Sequence, residues 1–249
     1  MKNDFKLIVS LLENTRFKVT IIMIVLLGFM AFGTITERMT FIEGIYNVMT
    51  WDYFIMVLLF LFMFNTYNIY TELTHNYSFM IRIKDYKEFF NKMIKFIFIS
   101  NLIIYFIVLV IVMLCSILNT GMNMKIDNYY FYNISNSLYL IFHIIRSYFI
   151  LNIVVVFSIS VYKLVREEIG ILIVGIIPLS ICMLFPILKV KDITSVFMLP
   201  LYYGEYFISN NYGTFPFEIC MSILFISLIF SISKLFMFIV SKKNIDLEF

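Results

Sequence analysis

The chain has 249 residues, of which 62% are hydrophobic and only 14% are charged, and its mean hydropathy is +0.94. Soluble globular proteins carry nearly twice that charged fraction, so the composition excludes a soluble globular protein and any sizeable soluble domain. The net charge of +3 comes without a basic run, so nothing indicates nucleic acid as a partner. Apolar runs long enough to cross a bilayer as helices recur along the chain. We therefore predict an all-α polytopic membrane protein with one transmembrane domain over residues 1–249, surrounded by the lipid bilayer.

The first predicted elements are an interfacial helix and the first span. Residues 3–16 have apolar side chains at helical i, i+3, i+4, i+7 spacing, namely Phe5, Ile8, Val9 and Leu12. This pattern predicts an amphipathic elbow helix in the membrane interface, although a plain extension of the first span remains an alternative. The first span covers 19–35. It lacks a small-residue cleavage site, so we interpret it as a retained span rather than a signal peptide.

The most charged part of the chain follows the second span, which we place at 51–70. Residues 71–95 hold eight of the 35 charged residues. Within them, 74–83 can form a short helix, and Asp85-x-x-Glu88 has the form of a capping box. A helix that begins at Asp85 and continues through a third span at 93–118 would be about 50 Å long. It should therefore project beyond the membrane.

Three further spans are predicted at 138–163, 169–188 and 217–240, and an interfacial or re-entrant segment at 197–212. His143 and Arg146 interrupt the fourth span. We expect Arg146 to lie near the interface, where its side chain can snorkel, and the alternative is an arginine buried in a transport path.

Lysine and arginine set the expected orientation of the six spans. With the N-terminus inside, 14 of the 19 basic residues fall in inside segments and five outside. Cytoplasmic segments carry such an excess, so both termini are predicted to be cytoplasmic.

Motifs for chemistry are missing from the sequence. It has no G-x-x-x-x-G-K-[ST], no H-E-x-x-H, no C-x-x-C and no G-x-S-x-G, and only two histidines. We therefore expect no ATP site, metal site, cofactor or catalytic residue in this chain. The Glu167-Glu168 pair resembles that of some intramembrane proteases, but we interpret it as a solvated turn.

Polar residues inside the spans are few, and three asparagines stand out: Asn65, Asn101 and Asn152. Their default role is hydrogen bonding between helices, and lining a translocation path is the alternative. No carboxylate falls at mid-membrane, which argues against a proton- or sodium-coupled carrier.

The elbow segment 3–16, the six spans with both ends inside, the charged stretch 71–92 and the segment 197–212 together resemble the permease subunit of a type-two ABC exporter. Locally, the chain has Glu72 followed by Tyr77, Met80, Arg82, Tyr86 and Lys92. This order is similar to the family's pattern of an acidic residue, a small-apolar stretch, a basic residue and a lysine that opens span three. The closing Lys242-Lys243-Asn244-Ile245-Asp246 resembles the basic-plus-Asp-Ile endings of these subunits.

The resemblance implies a bacterial plasma membrane protein that does no chemistry itself. Two copies of a separate ABC ATPase would bind ATP and Mg²⁺, and a second permease chain, identical or homologous, would complete the path. The family has a cytoplasmic coupling helix between spans two and three, and the stretch 71–92 is its candidate here. This coupling helix would contact the ATPase through Glu72, Tyr77, Phe79, Met80, Arg82 and Lys84. Short permeases of this family often export amphipathic, antimicrobial or cytolytic peptides. The alternatives are a non-transporting immunity or assembly protein and, with less support, an intramembrane protease.

Overall fold

The computed structural model describes residues 16–75, 86–121, 136–165 and 215–242, and within them it contains six helices and no strand. The helices are α1 (Arg16–Thr34), α2 (Phe41–Thr50), α3 (Asp52–His75), α4 (Tyr86–Thr120), α5 (Asn136–Val165) and α6 (Phe215–Lys242). The predicted all-α fold is confirmed for these residues. The elbow at 3–15, most of the coupling helix at 74–83, the fifth span at 169–188 and the segment at 197–212 lie outside the described residues.

Four of the described helices are long and apolar enough to cross a membrane. Their apolar stretches are Phe54–Leu73, Glu88–Thr120, Ser137–Val161 and Ser222–Ile239, which match the predicted second, third, fourth and sixth spans. The apolar part of α1, Lys18–Thr34, has 17 residues. At 1.5 Å per residue it covers about 26 Å, slightly less than the roughly 30 Å of a hydrocarbon core.

Helix α4 is the long helix that the capping box predicts. It begins at Tyr86, directly after Asp85, and continues for 35 residues, or about 52 Å. Its charged first turns contain an i,i+4 ion pair between Glu88 and Lys92, with 2.8 Å between Oε1 and Nζ. Helix α4 is therefore longer than the hydrocarbon core of a bilayer is thick by roughly 20 Å.

Helix α2 was not expected from the sequence. Thr40 is its N-cap: the Thr40 hydroxyl accepts from the Glu43 backbone N–H at 3.3 Å, and the Glu43 carboxylate accepts from the Thr40 N–H at 2.8 Å. This reciprocal capping box satisfies two backbone donors that the first turn would leave unpaired. Trp51 then adopts an extended conformation and separates α2 from α3. The connection between the first two spans is therefore a short capped helix.

The described helices differ strongly in burial. In the membrane-crossing stretch of α3, 61% of residues are buried, against 17% in α6. Phe54, Leu58 and Phe62 of α3 are almost fully enclosed, while α6 packs mainly on α5. The core therefore lies around α3, α4 and α5, and α1 and α6 contribute most of their apolar side chains to the surface.

Candidate functional site

The three asparagines singled out from the sequence meet in one hydrogen-bonded chain across α3, α4 and α5. The Asn65 side-chain N–H groups donate to Asn101 Oδ1 at 2.8 Å and to Ser100 Oγ at 2.9 Å. Asn101 donates to Asn152 Oδ1 at 2.9 Å, and Asn152 donates to the backbone carbonyl of Tyr148 at 2.8 Å. We call these side chains, with Ser100, the asparagine layer.

The centre of the asparagine layer is closed to solvent in this conformation. Asn101 and Asn152 are fully buried, Ser100 is buried and Asn65 is partly buried. An amide left without a partner in an apolar environment costs several times the net value of the bond it makes. The layer therefore holds the register of three helices, because shifting one helix would strand the amides of the other two.

Two tyrosines also join α4 and α5 close to the layer. The Tyr105 hydroxyl donates to the Ile144 carbonyl at 2.9 Å, and the Tyr148 hydroxyl donates to the Phe98 carbonyl at 2.7 Å. The two rings lie 5.5 Å apart. A tyrosine hydroxyl of each helix thus donates a hydrogen bond to the backbone of the other helix, and we call this arrangement the tyrosine clasp. Sequence reasoning missed it, and the only signal was that both tyrosines fall inside apolar spans.

A second polar cluster lies nearer the N-terminal end of α5. His143 and Arg146 are buried, with 3% and 4% of their surface exposed. Arg146 Nη2 lies 2.9 Å from His143 Nδ1. Arginine can only donate, so Nδ1 accepts and the imidazole carries its hydrogen on Nε2. The guanidinium is enclosed by protein and lies 5.5 Å from the centre of the Phe142 ring, which differs from the snorkelling side chain that we expected.

The predicted coupling residues fall almost entirely outside the described part of the chain. Glu72 lies near the end of α3 and is partly buried. Tyr77, Phe79, Met80, Arg82 and Lys84 belong to the segment 76–85, which the structure does not describe. Within residues 16–75, 86–121, 136–165 and 215–242, no group of three or more His, Cys, Asp or Glu residues could hold a metal ion.

The arrangement offers neutral amide and hydroxyl groups rather than charge in the centre of an apolar bundle. Such groups hydrogen-bond to each other or to peptide-like ligands, and they do not supply a nucleophile or a general base. No protein-family model matches the chain, and no curated protein or solved structure matches it.

Proposed function

We propose that the chain is the membrane-spanning permease subunit of an ABC exporter in a bacterial plasma membrane, with both termini in the cytoplasm. Two copies of a separate ATPase would bind ATP and Mg²⁺, and a second permease chain, identical or homologous, would complete the path. The observation that supports this most is the length of α4, because its 35 residues cover about 52 Å, which is more than the thickness of the bilayer core. The Glu88 and Lys92 side chains near its start are 42% exposed, and they would face a soluble partner on the side that the basic residues predict to be cytoplasmic.

A continuous helix is a suitable element for passing motion from an ATPase into the membrane. Tyr86 and Asn101 belong to the same α4, about 22 Å apart along its axis. Asn101 in turn holds Asn65 of α3 and Asn152 of α5. A displacement at the charged end of α4 would therefore act directly on the asparagine layer. Rigid helices that shift between discrete packings are a common way to convert such motion.

The side chains around the layer suit an amphipathic peptide as substrate. Asparagine amides form the same hydrogen bonds as peptide groups, and aromatic rings lie beside them: Phe62, Phe98, Tyr105 and Tyr148. In the described conformation these groups bind each other. When the helices separate, the amides would exchange their partners for the peptide groups of the substrate, and alternating access would carry the peptide outward.

The proposal is tested by co-purification and charge reversal. The chain should co-purify with an ABC ATPase from the cells that make it, and Arg82→Glu with Lys84→Glu should weaken the complex. Lys18→Glu is the control, because Lys18 is a basic residue outside the segment 76–85 and is exposed near the start of α1. Absence of any ATPase in the purified complex, or an equal effect of both changes, would count against the proposal.

A non-transporting immunity or assembly protein is the second candidate. The observation that favours it is the closed asparagine layer, whose amides already use each other, so the bundle needs no substrate to satisfy them. Such a protein would work by binding alone. Protection of cells against an added peptide after deletion of every associated ATPase gene would favour this candidate over the exporter.

A further inference from the structure

Helix α2 lies across one end of the bundle. It packs against α1, α3, α4 and α5. Gly44, Ile45, Val48 and Met49 form its buried face, whereas Asn47 is exposed. The same end of the bundle holds the C-termini of α1 and α4 and the N-termini of α3 and α5. We call it the α2 end, and the predicted orientation makes it the extracellular end.

The first half of α2 is attached to α4. The Ser116 hydroxyl of α4 donates to the Phe41 carbonyl at 2.9 Å. A Cβ atom on Gly44 would lie 2.6 Å from Ser116 Oγ and 3.1 Å from Ile35 Cγ2. Only glycine lets the α2 backbone come this close to α4. We call this close contact of Gly44 with Ser116 and Ile35 the seat of α2.

The second half of α2 is attached to α5. His143 lies beside the backbone of Met49. The Tyr46 ring lies 5.4 Å from the His143 ring and 5.9 Å from the Tyr139 ring. On α5, Arg146 Nη2 lies 2.9 Å from His143 Nδ1 and Ser147 Oγ lies 3.4 Å from His143 Nε2, so neighbours on the same helix hold the imidazole beside α2. Helix α2 thus forms a bridge from α4 to α5 at one end of the bundle.

Deeper in the bundle, the Asn101–Asn152 bond and the tyrosine clasp join α4 and α5 directly. At the α2 end they cannot separate unless α2 releases one of them. Thr40 and Trp51, which flank α2, both have extended backbones. A rotation of α2 as a unit would need dihedral changes at only these few residues, as hinge motions do.

We propose that α2 is the gate at this end of the path: it bridges α4 and α5 when the path is closed and must detach from Ser116 before substrate can leave. This rests on the proposed exporter function and adds the regulation of its exit. Gly44 provides the seat, and Ser116 and His143 provide the two attachment points.

A disulfide across the seat tests the gate. Gly44→Cys with Ser116→Cys, in a background with serine at the three native cysteines, places two Cβ atoms 3.6 Å apart, within the range of protein disulfides. The crosslink is scored by loss of both thiols to maleimide-polyethylene glycol. The transport probe is ATP-driven uptake of a fluorescent amphipathic helical peptide into inside-out vesicles from cells that make the protein.

Oxidation should lower this uptake at least about tenfold, and reduction should restore it. Gly28→Cys with Ile111→Cys is the matched control, because Gly28 also approaches α4 closely but lies in α1. Uptake that continues at full rate in completely crosslinked protein overturns the gate.

A second measurement does not depend on transport. Val48→Cys on the buried face of α2 and Asn47→Cys on its exposed face are treated with a membrane-impermeant maleimide on intact cells. Asn47→Cys should react at once, and Val48→Cys should react completely but at least about tenfold more slowly, since it is reached only when α2 detaches. A Val48→Cys thiol that never reacts overturns the gate. Complete reaction without any peptide uptake supports the movement of α2 and rejects the exporter instead.

Discussion

The asparagine layer and the seat of α2 hold helices together in opposite ways. In the layer, side chains from three helices bind each other, and Asn101 takes part in two of these bonds at once. At the seat, a glycine removes the side chain, and Ser116 bonds to the backbone carbonyl of Phe41. Separation at the layer strands several buried amides, whereas separation at the seat breaks the bond between the Ser116 hydroxyl and the Phe41 carbonyl at the start of α2.

This difference indicates where the bundle can open. Buried polar partners that lose each other in an apolar environment cost several kcal/mol unless another ligand replaces them. The Phe41 carbonyl, at the start of α2, and the Ser116 hydroxyl lie within reach of water once α2 moves. We therefore expect the α2 end to be the part that opens readily and the layer to open only when a substrate supplies hydrogen bonds.

The largest expected effect is at the centre of the layer. Asn101→Leu removes both bonds and leaves the amides of Asn65 and Asn152 without this partner, which should lower the free energy of unfolding by about 2–3 kcal/mol. Asn101→Ser keeps some polarity and should cost less. The measurement is unfolding of the purified protein in mixed micelles by added sodium dodecyl sulfate. Equal stability of the leucine variant and the native protein would contradict the role of the asparagine layer in holding the three helices together.

The seat of α2 is the next target. Gly44→Ala forces a Cβ to within 2.6 Å of Ser116 Oγ and should destabilise the protein by about 1–2 kcal/mol, since a well-packed contact must shift. Gly33→Ala is the control, because a Cβ there has no neighbour within 4 Å. It should be neutral or slightly stabilising through helix propensity. Adding Ser116→Ala to Gly44→Ala should recover part of the loss, and a purely additive double variant would argue against direct contact.

The cap of α2 should contribute about 1 kcal/mol. Thr40→Ala removes the hydroxyl that accepts from the Glu43 N–H, and N-cap replacements of this kind cost about that amount. Because α2 is also attached to α4 and α5, the loss should appear as faster reaction of Val48→Cys with maleimide. Thr40→Ser, which keeps the hydroxyl, is the control and should react at the native rate.

Two sequences of the capping-box form show what the sequence could and could not reveal. Asp85-x-x-Glu88 led to the correct start of α4, because a long apolar run follows it. Thr40-x-x-Glu43 has the same form and caps α2, but only ten helical residues follow, too few to span a membrane. A short helix gains most of its stability from tertiary packing, so its sequence pattern alone carries little weight.

The asparagine layer was visible in the sequence only as three separate residues. Asn65, Asn101 and Asn152 lie on three helices, and which faces of these helices meet is decided by packing rather than by spacing along the chain. The tyrosine clasp was less visible still, since each hydroxyl bonds to a backbone carbonyl, which any residue type can supply. The burial of Arg146 was not predicted, because α2, which lies across the α2 end of the bundle, was not predicted either.

The smallest expected effect is at the projecting end of α4, away from both regions. The Glu88–Lys92 pair has 2.8 Å between its charged atoms, but both side chains are 42% exposed, so water and salt screen their attraction. Glu88→Gln should therefore lower the free energy of unfolding by no more than about 0.5 kcal/mol, and the loss should shrink in high salt. If this end of α4 serves an ATPase, the same substitution should weaken ATPase co-purification more than it weakens the fold. A large loss of stability that persists in high salt would instead make the pair part of the structural core and remove it as a coupling surface.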